Sequence, residues 1–70
     1  MFAQYIEKKD SVVIEIPKAE FAAVVAAVGI ASMPRLRDCS TVKNEHLGNP
    51  HAVWETIAPL YRKMNSEGKF

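Results

Sequence analysis

The stretch Ser11-Val12-Val13-Ile14-Glu15-Ile16-Pro17-Lys18-Ala19-Glu20-Phe21-Ala22-Ala23-Val24-Val25-Ala26-Ala27-Val28-Gly29 decides the fold. Its first six residues are β-branched and weakly alternating, so Ser11 to Ile16 reads as a strand. Pro17 then suits a helix start, where its missing N–H costs nothing. Glu20 in the first turn complements the helix dipole. Phe21, Val24, Val25 and Val28 recur at helical spacing, which predicts a helix from Lys18 to Val28. The alanines between them leave a smooth surface for close approach of a sheet or helix. Gly29 reads as the stop, in the left-handed conformation, with Ile30 folded back on Val25.

Upstream, Phe2 to Glu7 reads as the partner strand, and Lys8-Lys9-Asp10 as the polar turn of a hairpin. A two-residue loop places Ala3, Tyr5 and Glu7 on one face with Ile16, Ile14 and Val12. A three-residue loop puts Phe2, Gln4 and Ile6 there instead. Neither face of the first strand is purely apolar, so the register stays open.

Downstream, Asn49 is a good N-cap and Pro50 a good first residue for a second helix, Pro50 to Met64. Val53, Trp54, Ile57, Leu60, Tyr61 and Met64 form one stripe along it. The stripe keeps phase across Pro59, which predicts one kinked helix rather than two. Asn65 to Phe70 reads as a frayed tail. Ala31 to Gly48 has no clear period. Arg35 to Asp38 fits a loop or an edge strand. Cys39 to Lys43 fits a third strand, and Ser40 or Thr41 equally caps a short helix that buries Val42 and Leu47. A two-stranded sheet alone is marginal, which favours a third strand or pairing with another chain.

The expected fold is therefore one α+β domain over residues 1–70. It has a small antiparallel sheet of two or three strands with two helices on one face, in the order β-β-α-irregular-α. Val12, Ile14, Ile16, Phe21, Val24, Val25, Val28, Val53, Trp54, Ile57 and Leu60 are its expected core. A chain this short buries only about 60% of its unfolded surface, so that core is marginal.

Composition narrows function. Hydrophobic residues make up 49% and charged residues 24% of the chain, ordinary values for a folded domain. Cys39 is the only cysteine, which excludes an internal disulfide and points to a reducing compartment. The low-charge run Phe21 to Pro34 falls short of the roughly 18 residues that a membrane span needs. The opening MFAQYIEKKD lacks the basic start and apolar stretch of a signal peptide. A cytoplasmic protein without membrane contact is expected.

No phosphate-cradling glycine loop is present, and each of the three glycines stands alone. Cys39 with His46 or His51 has the composition of a thiol–imidazole dyad, but no nucleophile motif surrounds it. A catalytic pocket of a few hundred cubic ångströms is also hard to hold beside so small a core. The expectation is a non-enzymatic chain with no cofactor. Cys39, His46 and His51, with Glu45 or Glu55 as fourth donor, are the residues that would make a small structural metal site. Their spacing is looser than that of structural zinc sites.

Charge is uneven. Up to residue 32, three lysines face four acids, a net of −1; from residue 33, six bases face four acids, a net of +2. Arg35, Leu36, Arg37, Arg62 and Lys63 are the residues expected to contact a partner. Arginine beside exposed apolar side chains is common at protein interfaces. The leading expectation is a small regulator or inhibitor that binds and modulates a larger protein, as small bacterial or phage chains do. A nucleic-acid module using the same basic residues is the alternative, although dedicated ones are usually more basic. A homodimer also suits a short sheet edge and a marginal core.

Overall fold

The computed structural model describes residues 1–70. Two antiparallel strands, β1 (Phe2–Ile6) and β2 (Ser11–Glu15), lead into helix α1 (Lys18–Gly29). A short helix α2 (Met33–Arg37) and a 3-10 turn (Asn44–His46) come next, and helix α3 (Pro50–Ser66) closes the chain. The fold is α+β, and it begins β-β-α as the sequence predicts.

The hairpin pairs Ala3 with Ile14 and Tyr5 with Val12. The connecting loop is four residues, Glu7 to Asp10, longer than either length considered from sequence. Glu7–Lys9 form a 3-10 turn, and Asp10 takes the left-handed conformation at φ 48°. Tyr5 stabilises that loop by donating its hydroxyl to Asp10 Oδ1 at 2.9 Å. The extra residues preserve parity, so Ala3 and Tyr5 share a face with Val12 and Ile14, as a two-residue loop would place them. No third strand joins the sheet.

All but the first three residues of α1 are apolar, on every side of the helix: Phe21 to Gly29 contains no polar residue. A helix of that kind is normally buried all round. Here only one stripe is covered, by α3. Val25 is 6% exposed and Ala58 of α3 is 2% exposed, and these are the only two buried residues of the chain. Gly29 lies inside α1 rather than past its end, and Ile30 is exposed with right-handed backbone. The glycine has a tertiary role. A Cβ there would stand 2.7 Å from Trp54 Cζ3, so the missing side chain lets the indole ring lie against α1. Gly29→Ala gains about 1 kcal/mol of helix propensity but incurs an overpacking cost of about 1–3 kcal/mol. The expected net is a mild destabilisation with a red-shifted Trp54 emission, read by thermal melting and fluorescence. A clear rise in melting temperature would contradict this contact.

Helix α3 starts as expected: Asn49 Oδ1 accepts from the His51 N–H at 2.9 Å, and Pro50 comes directly after the cap. It runs unbroken through Pro59 and ends at Ser66, two residues past the expected stop. The tail does not fray. Gly68, at φ 72°, turns the chain back, and the Lys69 N–H bonds the Met64 carbonyl at 2.9 Å. Phe70 then lies against Tyr61, with ring centroids 5.0 Å apart.

The expected core is largely not a core. Ile16, Phe21, Val28, Trp54 and Ile57 are half-buried, whereas Val12, Ile14, Val24, Val53 and Leu60 are exposed. The cause is spatial. The strands pair with each other and α1 packs on α3, but the hairpin makes only sparse contact with the helix pair. The apolar side chains of the hairpin and those of the helix pair therefore line an open space between them.

Candidate partner-binding surface

Two open apolar concavities result from that arrangement. The larger, about 580 Å³, is a groove between the hairpin and the helix pair. Val12, Ile14 and Ile16 form one wall, and Phe21, Val24, Val53 and Ile57 the other. Alternation along β2 aims Val12 and Ile14 at it, and Val53 and Ile57 lie one turn apart on α3. No polar or charged side chain lines it. The smaller cleft, about 320 Å³, lies where α2 meets the start of α3, and Leu36, Val28, Pro50 and Val53 line it.

The basic residues singled out from sequence divide between two places. Leu36 turns into the small cleft, while Arg35 and Arg37 beside it are exposed. Arg62 and Lys63 stand near the far end of α3, about 18 Å along the axis from Pro50. All four cations are free of ion pairs: the only close contacts between basic and acidic side chains join the imidazole of His51 to Glu55 at 2.9 Å and that of His46 to Glu45 at 3.8 Å.

Cys39, His46 and His51 do not converge. No group of three or more histidine, cysteine or carboxylate side chains is placed to hold a metal ion. His51 and Glu55 lie one turn apart, as their spacing predicts, but form a two-member surface pair. Cys39 is exposed and free. The backbone N–H groups of Thr41 and Val42, then the Thr41 hydroxyl, lie close to its sulfur and hold its pKa below the ordinary thiol value. The thiolate accepts from these donors better than the thiol, so the charged form is favoured. Alkylation of Cys39 is expected to reach half its maximal rate at lower pH in the folded chain than in the denatured one. Thr41→Val should recover only part of the difference. Identical pH profiles for folded and denatured chains would contradict the contact.

The groove, absent from the sequence reading, is the larger feature. Its residues are legible as apolar, but an apolar stripe on its own reads as an interior. No family model, curated protein or solved structure is significantly similar to this chain. No helix is long and apolar enough to cross a membrane.

Proposed function

We propose that this chain is a non-enzymatic interaction protein that acts by binding protein through surface it cannot cover itself, modulating a larger partner in the cytoplasm. One observation carries the reading. A folded monomer of 7.8 kDa exposes about 4,400 Å², whereas this chain exposes 5846 Å². Its radius of gyration is 13.5 Å, against about 11 Å for a compact chain of this length. The surplus is apolar in good part: Val12, Ile14, Val24, Val53 and Leu60 lie among the exposed large side chains. Apolar patches of more than a few hundred square ångströms mark interaction sites.

Both concavities are lined mainly by apolar side chains, the kind of surface that contact with another protein covers. Arg35, Arg37, Arg62 and Lys63 are the proposed polar contacts to the larger partner, because they are free of ion pairs, and Arg35 and Arg37 stand either side of Leu36, which lines the small cleft.

The test is photo-crosslinking in the native host. A benzophenone amino acid replaces Val53 in one chain and Arg37 in another, and adducts are sized with and without nuclease. Nuclease-resistant protein adducts from either position are expected. Adducts that vanish with nuclease would transfer the reading to nucleic acid. No adduct from either position would overturn it.

A further inference from the structure

We infer that the apolar groove is closed by a second copy of this chain, giving a two-fold dimer in which each groove faces the other. The inference rests on the interaction reading of the proposed function and names the partner at one surface.

Area is the first argument. The surface in excess of a compact monomer is about 1,500 Å² per chain. Permanent homodimers bury about 2,000–5,000 Å² in total, or about 1,000–2,500 Å² from each subunit. That excess is summed over the whole chain, with the groove walls and the bare side of α1 among its contributors, and it is of the size one such interface removes. It also exceeds the roughly 800 Å² per partner of a standard transient complex.

Chemistry is the second. The seven side chains lining the groove are Val, Ile and Phe only. They carry no charge that would select a partner of opposite sign, and the chain's net charge of +1 hardly opposes pairing of two copies. Permanent homodimer interfaces resemble a domain core cut in half. This groove has that composition: its residues are legible in the sequence as core, and half of that core is missing. Helix α1 shows the same lack. Val25 faces α3, but Ala23, Val24, Ala26 and Ala27 remain exposed on a helix without polar residues from Phe21 onward. A second apolar surface is needed to cover them.

Availability is the third. With two buried residues, the isolated chain has little to hold its hairpin against its helices. A partner that completes a fold must be present whenever the chain is made, at matching concentration. A second copy meets that condition without coordinated supply. A two-fold axis needs only one patch presented twice, and the groove and the bare side of α1 carry no charge that a second copy would repel.

The experiment uses the purified wild-type chain. Sedimentation equilibrium at micromolar concentration should give twice the 7.8 kDa chain mass, and the melting temperature should rise with concentration. In a mixture of isotope-labelled and unlabelled chains, filtered NOEs should join methyls of Val12, Ile14, Val24, Val53 and Ile57 across the two copies. A chain that stays monomeric over a hundredfold concentration range overturns the inference, folded or not. So does a dimer whose cross-chain contacts all lie outside the groove. If the chain is monomeric while position 53 crosslinks to another protein in the host, the occupant is that protein. The interaction reading then survives and the dimer does not.

Discussion

Val53→Asp is expected to lower stability by about 2 kcal/mol or more, as for a residue at the centre of an interface. The magnitude is informative because everything local argues for a small effect. Val53 is 47% exposed in the single chain. Substitutions at such sites usually stay within about 0.5 kcal/mol. Valine and aspartate have similar helix propensities. Position 53 also lies in the first turns of α3, where a carboxylate gains from the helix dipole. A large loss therefore reports desolvation of the new charge inside a closed groove. Ala52→Asp is the control. Ala52 is an exposed neighbour in the same turn, and its substitution should change little. Denaturant unfolding at fixed concentration, with sedimentation in parallel, separates the two. Val53→Asp should lose stability and the doubled mass together. Equal stability for the two variants would mean that the groove is open to water in solution.

Local chemistry set how much of the fold was legible in the sequence. The Pro17 and Asn49-Pro50 signals place the starts of α1 and α3, because capping and proline geometry act within one turn. The β-branched run at Val12 to Ile14 places β2. The hairpin loop is less legible, because Phe2 to Ile6 alternates too weakly to fix its register. Helix α2 escapes the sequence reading for two reasons. Five residues are too few to show a period, and Pro34, a stop for the segment before it, also sits in the first turn of α2. Gly29 reads as a cap because glycine commonly ends helices. Its role against Trp54 depends on a residue twenty-five positions away, which no local signal encodes. The candidate surface is obscured in the same way. Arg35 and Arg37 can be recognised as solvent-facing, but their distance from Arg62 and Lys63 depends on how α2 meets α3. A stripe such as Val53 and Ile57 states that water is to be excluded from one side of a helix. It does not state whether the excluding surface belongs to the same chain. That is why residues assigned to the core form the wall of a groove.

Val25→Asp is expected to unfold the protein outright. A domain of this length has a total stability of about 3.5–10 kcal/mol. An unpaired charge at a buried site belongs with the rare substitutions that cost about 4 kcal/mol or more. Val25 is one of two buried residues, on the stripe of α1 that α3 covers, so the charge falls on the principal contact between helices. The graded variant Val25→Ala removes two methyl groups and should cost about 1.5 kcal/mol, at about 0.8 kcal/mol for each buried carbon. It is expected to remain folded with a lower melting temperature. Acid should act on the two differently. Burial disfavours the charged carboxylate and raises its pKa in the folded chain above the unfolded value. Folding of Val25→Asp is then least unfavourable where the carboxyl is protonated, and is further destabilised as pH rises through the unfolded carboxylate range near about 3.9. Partial recovery of helical circular dichroism for Val25→Asp at low pH, without a matching gain for Val25→Ala, is the expected signature. If Val25→Asp instead melts like wild type at neutral pH, α1 and α3 are not held by this contact, and the groove they frame loses its inner wall.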